Sequence, residues 1–249
     1  MKDKSIAISS DSGKNDMVLR AIFFDAAGTL FTSARPVEES YALLAKGYGM
    51  EVSGAETARR FRSCFSSAPP LAFPGASSEH IKELERSWWK ELVRKIFEPF
   101  GPFVRFDEYF SELFGYFSKA DSWSLYDDTI ETLLALRNKK LTLGIISNFD
   151  SRLFGILNGL GIASHFDSVL ISSQIGYAKP SAEIFQAALS LHRLRPAEAM
   201  FVGDSPETDI TGATRAGLEA VLLDPSARGE ADSTPRIRNL KEILSFIDR

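Results

Sequence analysis

The hydrophobic positions of the chain follow two different patterns. Short, continuous apolar runs occur near residue 22 and again after residue 140, and each run ends on small or polar residues. Such runs predict strands that are buried on both faces of a parallel sheet. Amphipathic segments separate the later runs, so strands and helices alternate in this part of the chain. The predicted strands are residues 22–24, 141–146, 168–171, 199–202 and 220–223.

This alternation predicts an α/β fold with a doubly wound parallel sheet. Right-handed crossovers between successive strands give the expected strand order 3-2-1-4-5. The first and fourth strands are then neighbours at the switch point of the sheet, where ligands of such folds bind. We therefore expect the chemistry of the protein at the carboxyl ends of these two strands.

Between residues 34 and 123 the apolar positions are spaced three and four residues apart, which is typical of amphipathic helices. No strand is predicted here. We interpret this segment as a helical-bundle cap domain inserted into a catalytic core of residues 18–33 and 124–249. The predicted cap helices start near residue 36, near residue 55, at Ser77 or Ser78 (ending at Phe97), and near residue 107.

The composition fits a soluble globular protein. The chain has 249 residues, of which 44% are hydrophobic and 25% are charged, and its formal net charge is −4. This balance, without a long Lys/Arg block, predicts no nucleic-acid partner. No stretch approaches the roughly 18 apolar residues that span a bilayer, so no membrane partner is predicted either. No obligate protein partner is evident.

Some residues are predicted to have structural roles only. The single cysteine, Cys64, excludes an internal disulfide, favours a reducing cytoplasmic location and is expected to pack rather than react. Trp88 and Trp89 fall on helical spacing, so we expect core packing in the cap rather than a substrate platform. Residues 1–17 are polar, lack the apolar segment of a signal peptide and are predicted to form a flexible tail.

Acidic side chains stand directly after two of the predicted strands. Asp25 follows the first strand and Asp204 the fourth, while the second strand delivers Ser147 and Asn148 to the same edge. Carboxylates that converge on one crevice repel each other unless a cation lies between them. Hard oxygen ligands select Mg²⁺, so we expect a Mg²⁺ site here, with Asp209 as a further carboxylate.

Four stretches, taken in order, resemble the motifs of the haloacid dehalogenase superfamily of hydrolases. They are residues 20–31, 144–148, 178–180 and 201–209. The ordered set is specific, although no single member of it is. The inserted helices and the tryptophan pair are most similar to the branch typified by rhythmically expressed gene 2 and the haloacid dehalogenase-like domain-containing proteins.

The resemblance implies a reaction in two steps. Asp25 would attack the phosphoryl group of a small phosphorylated substrate, and water would then hydrolyse the aspartyl-phosphate. Ser147 and Lys179 would assist at the phosphoryl group. The implied metal ligands are Asp25, the carbonyl of Ala27, Asp204 and, nearby, Asp209. The implied phosphate-binding residues are Ser147, Asn148, Lys179, Gly28 and Thr29.

One position departs from the phosphatase pattern. Phosphatases of the superfamily normally carry an Asp two residues after the nucleophile, as the acid that protonates the leaving group, and this chain has Ala27. The loss of general acid catalysis typically costs roughly 10²- to 10⁴-fold in rate. The leading hypothesis is therefore a Mg²⁺-dependent phosphohydrolase that is slow or restricted to good leaving groups.

Three alternatives stay open at this point. Phosphonate hydrolases of the superfamily also carry Ala here, but they need a cap lysine that forms a Schiff base. Dehalogenases also replace this Asp. They generally work without a metal, whereas Asp204 and Asp209 favour the presence of one in this chain. A non-catalytic phospholigand-binding protein is also compatible with Ala27. The cap lysines available for the first alternative are Lys46, Lys82, Lys90 and Lys95.

Overall fold

The computed structural model describes residues 18–226 and 234–247. The predicted flexible tail, residues 1–17, lies outside the described residues. The strands, in chain order, are β1 (Ala21–Phe24), β2 (Phe31–Ser33), β3 (Trp123–Leu125), β4 (Thr142–Ser147), β5 (Ser168–Ile171), β6 (Ala199–Gly203), β7 (Glu219–Leu223) and β8 (Arg236–Ile237).

The main sheet is parallel, and its strands lie in the order β5-β4-β1-β6-β7-β8. Numbered by their sequence order, the five predicted strands stand as 3-2-1-4-5, which confirms the predicted α/β fold. Strand β8 adds a sixth strand beside β7 that the hydrophobic pattern did not indicate. Its two residues are too few to give a periodic signal.

Helices surround the sheet and fill the segment between β2 and β3. Helix α3 begins directly after Ser77, at the predicted position. The N-terminus of α2 is a capping box, in which Ser53 and Glu56 satisfy each other's backbone N–H groups. The helices are α1 (Val37–Gly47), α2 (Gly54–Ser67), α3 (Ser78–Phe97), α4 (Phe106–Tyr116), α5 (Thr129–Asn138), α6 (Arg152–Gly159), α7 (Ser172–Ile175), α8 (Ala182–His192), α9 (Thr211–Arg215) and α10 (Leu244–Ile247).

Both faces of the sheet are buried, as the continuous apolar runs predict. Along β1, Ile22 and Phe24 pack into one apolar cluster with side chains from α5 and α6. Ala21 and Phe23 point to the opposite cluster, which α8 and α9 cover. Successive strand residues alternate between faces, so a strand without polar residues must be covered on both sides.

The cap helices α1 to α4 share a third apolar cluster, which is rich in aromatic rings. Cys64 is buried in it, and Trp88 and Trp89 pack against it, half-buried, as predicted. The predicted limits of the cap at residues 34 and 123 stay a prediction.

An antiparallel ribbon of β2 and β3 flanks the cap helices in sequence. The hydrophobic pattern predicted neither β2 nor β3, and the reason is clearest for β3. Its residues are Trp123, Ser124 and Leu125, which alternate over only three positions, and this is too short to be distinguished from a turn. The ring of Trp123 contacts Phe31 of β2 with centroids 5.4 Å apart, so aromatic packing supports the pairing. Within the described residues, no helix combines the length and the apolar character that crossing a bilayer requires.

The close packing of the sheet gives a test of the fold. In a Gly144→Ala variant, the new Cβ would lie 2.6 Å from Phe23 Cδ1 and 2.8 Å from Ser168 Oγ. We expect the free energy of unfolding to fall by about 1–3 kcal/mol, because Phe23 is fully buried and cannot move aside. Chemical denaturation measures this change.

The matched control is Gly155→Ala on α6, where the new Cβ would meet no described atom within 4 Å apart from those of its chain neighbours and the backbone of its own helix. This variant should gain about 0.5–1 kcal/mol from helix propensity. Equal effects of the two substitutions would contradict the described packing of Gly144.

Candidate active site

The strand order brings the predicted acidic residues to one place. Strand β1 lies between β4 and β6, with Phe24 opposite Ile145 on one side and Val202 on the other. Just past β1, the N–H of Asp25 donates to Val202 O at 2.9 Å. Asp25 therefore emerges between the ends of β4 and β6, at the switch point of the sheet.

Three carboxylates meet at this edge. Asp25, Asp204 and Asp209 each offer one oxygen such that all three atoms lie within 4.8 Å of one another. Asp25 and Asp209 are buried, with 7% and 1% of their surface exposed, whereas Asp204 remains open to solvent. Like charges this close repel each other, so the arrangement needs positive charge to hold it.

Lys179 supplies part of that charge. Its ammonium lies 2.6 Å from Asp25 Oδ1 and 2.6 Å from Asp209 Oδ1, and the side chain is buried. Burial acts to lower the pKa of Lys179, but the attraction of the two carboxylates outweighs it and holds this pKa above its usual value. Among the described residues, no basic side chain pairs with the third acid, Asp204.

Loss of solvent and, after it, the remaining negative charge raise the pKa of two of the acids. The pKa of Asp204 is raised to about 6, mainly because the protein shields part of its carboxylate from water and then because Asp25 and Asp209 repel it. The side chain still reaches water on its open side. Burial also raises the pKa of Asp209, while Lys179 acts against it. An edge of this kind, with hard oxygen atoms and unbalanced negative charge, can hold a divalent metal ion.

A π-helical turn places Asp209. Residues Pro206–Ile210 form this turn directly after β6, a rare geometry that is often found at functional sites. Asp209 Oδ2 accepts a hydrogen bond from the N–H of Ser205 at 3.0 Å. At Gly203 a Cβ would overlap the carboxylate of Asp209, so the absence of a side chain there allows Asp209 to lie against the strand end.

Gly28 lets the loop after β1 lie close to Asp204. It has a φ of +97°, which favours glycine, and a Cβ here would lie 2.5 Å from Asp204 Oδ2. The hydroxyl of Thr29 donates to Asp204 Oδ1 over 3.4 Å, which is long for a hydrogen bond. In this structure both residues, predicted to bind phosphate, adjoin an acid. Ala27 lies in the same loop, and the role of its carbonyl as a metal ligand stays a prediction.

Asn148 holds the backbone of the segment that carries Lys179. Its Nδ2 donates to Lys179 O at 2.9 Å, and its Oδ1 accepts from the N–H of Lys179 at 2.7 Å. Both ends of the amide are therefore used to position Lys179, and the predicted contact of Asn148 with phosphate stays a prediction. Ser147 is buried at the end of β4, and its hydroxyl has no hydrogen-bond partner within the described part of the chain. It is available to a ligand.

Sequence reasoning missed a second group of charged residues, where the cap meets the core. Asp150 is fully buried and accepts hydrogen bonds from the guanidinium of Arg152 at 2.6 and 2.9 Å and from Trp89 Nε1 at 2.6 Å. Glu85 is buried as well, one turn before Trp89. Its position was a signal, because it falls four residues after Ile81 on the buried face of α3, where an unpaired charge is rare.

The comparison with protein families agrees with this geometry. The chain matches the family model of haloacid dehalogenase-like hydrolases over residues 19–217. The chain belongs to this family. The match spans β1, the cap helices and the strands that carry the acids, which confirms the resemblance drawn from the four stretches and the expectation of a hydrolase.

Two relatives place the chain in the predicted branch. Human haloacid dehalogenase-like hydrolase domain-containing protein 3 is 33% identical over 244 residues, covering 92% of this chain and 94% of the relative. The rhythmically expressed gene 2 protein of Drosophila melanogaster is 26% identical over 215 residues, covering 82% of each.

Solved structures share the fold. A phosphatase of the haloacid dehalogenase superfamily from Thermococcus onnurineus is 25% identical, has a TM-score of 0.62, and covers 92% of this chain and 98% of its own. Dehalogenases are also among the structural neighbours. The family therefore establishes the fold and the hydrolase class but leaves the choice between phosphate and halide chemistry to the site itself.

The crowded acids predict a pH-dependent effect of an Asp204→Asn substitution. Because the pKa of Asp204 is about 6 in the folded protein and 3.8 in its ordinary state, the fold loses stability as pH rises from about 4 to 6. Asn removes this loss. Without added metal, we expect a gain of about 1 kcal/mol at pH 8, after allowance for solvent screening, and none near pH 3.5.

Denaturant titrations at both pH values measure this difference. The control is Asp107→Asn, an exposed acid of the cap that pairs with Lys90. If Asp204→Asn gains nothing at pH 8, then burial and the neighbouring carboxylates do not raise the pKa of Asp204 as described.

Proposed function

We propose that the protein is a Mg²⁺-dependent phosphohydrolase of small phosphorylated compounds with Asp25 as its nucleophile. The observation that carries this proposal is the cluster of Asp25, Asp204 and Asp209, in which the one cation, Lys179, pairs with Asp25 and Asp209 but not with Asp204. Three negative charges against one positive charge leave an excess that a divalent ion balances. The phosphatase among the similar solved structures is consistent with this chemistry.

Asp25, Asp204 and Asp209, together with the carbonyl of Ala27, are the groups that would hold the ion. Asp204 fits this role because it reaches solvent and has no cationic partner among the described residues. When bound, Mg²⁺ supplies Lewis-acid polarisation of a phosphoryl oxygen and balances the developing charge.

In the first step Asp25 attacks phosphorus. Lys179 holds Asp25 Oδ1, so Oδ2 is the oxygen left to form the new P–O bond. The bond from phosphorus to the leaving group breaks, and its electron pair departs with the leaving-group oxygen. The hydroxyl of Ser147 donates to a phosphoryl oxygen, and Lys179 offsets the negative charge that accumulates there.

In the second step water attacks the phosphorus of the aspartyl-phosphate. The P–O bond to Asp25 breaks, the carboxylate is restored, and inorganic phosphate leaves. The proton released by water balances the one that the departed alkoxide or aryloxide takes up. Ala27 donates and accepts no proton in either step, so both transfers involve solvent, and a leaving group that is stable as an anion is favoured.

The cap lysines argue against a phosphonate hydrolase. Lys90 pairs with Asp107 at 3.0 Å and Lys95 with Glu91 at 3.8 Å. Lys46 and Lys82 are exposed, and none of the four contacts Asp25 in the described part of the chain. Dehalogenation stays the second candidate, because it would use Asp25 and Lys179 in the same way. It ranks below phosphate hydrolysis because it would leave Asp204 and Asp209 without a metal to bind.

The nucleophile can be tested directly. We expect Asp25→Asn to lower Mg²⁺-dependent hydrolysis of p-nitrophenyl phosphate by roughly 10⁴-fold or more, because an amide does not attack phosphorus. Acid quenching and peptide mapping of the wild type should locate the phosphoryl group on Asp25. The control is Glu207→Gln, an exposed acid beside the site, which should keep both turnover and labelling. Turnover without Mg²⁺, or a label elsewhere, would overturn the proposal, and release of halide from a 2-haloacid would favour the second candidate.

The meaning of Ala27 is tested by the leaving group. Wild type should lose rate steeply as the leaving-group pKa rises from aryl to alkyl phosphates. Ala27→Asp should flatten this dependence, with a gain on alkyl esters of up to roughly 10²- to 10⁴-fold and little gain on aryl esters.

Ala27→Asn is the matched control, because the Asn side chain has nearly the size of Asp but carries no acidic proton. If Ala27→Asp folds, binds Mg²⁺ and keeps the wild-type dependence, the missing acid does not limit the reaction.

A further inference from the structure

A buried glutamate of the cap is bonded to the core. Glu85 of α3 is 2% exposed, and no basic side chain pairs with it among the described residues. Its Oε1 accepts hydrogen bonds from Ser151 N–H at 3.0 Å, Ser151 Oγ at 2.9 Å and Ser173 Oγ at 2.6 Å. A buried carboxylate without a cation is costly unless such donors stay in place. The position of Glu85 is therefore tied to both serines.

The two serines lie on the two segments that carry polar groups of the site. Ser151 ends the loop that follows β4, and this loop begins with Asn148. Ser173 lies in α7, at the start of the segment that leads to Lys179. Asn148 joins these two segments a second time, because its side-chain amide is hydrogen-bonded to both the backbone N–H and the backbone carbonyl of Lys179. One oxygen of Glu85 thus bridges both segments from the cap side.

Further contacts from the cap reach the same two segments. Trp89, one turn after Glu85, donates to Asp150 in the loop after β4. The hydroxyl of Ser172 donates to Leu71 O at 2.6 Å, in the connection between α2 and α3. The interface is therefore polar and directional at the points where it meets the catalytic segments.

We infer that Glu85 is a positioning residue, which fixes the loop after β4 and the α7 segment relative to each other and so places Ser147 and Lys179. The bracing follows from the contacts alone, and only its kinetic consequence rests on the proposed function. Because a displacement of about 1 Å in such a site can reduce the rate roughly 10²-fold, the cap would contribute to the catalytic geometry through this residue.

Amide hydrogen exchange tests the brace without relying on turnover. In Glu85→Ala the N–H of Ser151 loses its direct acceptor and should exchange faster. The N–H of Lys179 is the decisive probe, because it bonds Asn148 and does not touch Glu85. We expect it to exchange at least several-fold faster in Glu85→Ala and close to the wild-type rate in Glu85→Gln, whose carbonyl can still accept from the serines.

Kinetics with p-nitrophenyl phosphate and Mg²⁺ give the second measurement. Per folded molecule, kcat should fall roughly 10- to 100-fold in Glu85→Ala and only a few-fold in Glu85→Gln. The control is Glu91→Ala, an exposed acid on the same helix that pairs with Arg94 and Lys95, and it should change neither readout. If Glu85→Ala does not fold, Ser173→Ala removes one of the three bonds and should move both readouts in the same direction.

The two arms separate the inference from the proposed function. A wild type without phosphatase activity counts against the proposed function, and the exchange of the Lys179 amide then decides on the brace by itself. Faster exchange at Ser151 with unchanged exchange at Lys179 would overturn the inference, as would an unchanged kcat in a folded Glu85→Ala variant of an active enzyme.

Discussion

The structure depends on holding three like charges at one edge of a sheet. Asp25, Asp204 and Asp209 do not attract one another, so the backbone must bring them together. Strand order does this for Asp25 and Asp204, and the π turn does it for Asp209. Gly28 and Gly203 leave space for the carboxylates where any side chain would collide with them. Lys179 balances only part of the charge, and the remaining excess is the chemical property that the site offers.

The buried acids between the cap helices and the core, Asp150 and Glu85, differ from the acids at the sheet edge in how they are bonded. Asp150 is as buried as Asp209, but its carboxylate meets Arg152 and Trp89 in well-formed hydrogen bonds. Glu85 has no cation, and three donors surround one of its oxygens. Both groups are satisfied by the protein itself, as structural acids must be. Asp204, in contrast, has only one long hydrogen bond, from Thr29, and no cationic partner among the described residues, so the protein itself does not satisfy this carboxylate.

The sequence predicted most of the fold and the main acids, because both follow from patterns that are local in the chain. The apolar runs identified the strands, and the handedness of crossovers then ordered them without further information. What it did not predict depends on tertiary contacts. β3 has too few residues to show a hydrophobic period. Glu85 is a charged residue on the apolar face of α3, and its partners lie on other segments. The hydrogen bonds of Asn148 to the backbone of Lys179 depend on two segments that lie side by side only in the folded protein.

If the proposed function holds, the site has catalytic groups for the phosphoryl group and for the metal but none for the leaving group. The side that faces phosphorus has a nucleophile, a fixed cation and an available hydroxyl, and the side that would hold a metal has three acids. The side that faces the leaving group has Ala27, which transfers no proton. Selection among substrates must then come from the stability of the departing anion or from contacts made by the cap. If Glu85 also fixes the catalytic segments, cap contacts govern both which compound enters and how well the phosphoryl site is formed around it, and changes in the cap would alter kcat and specificity together.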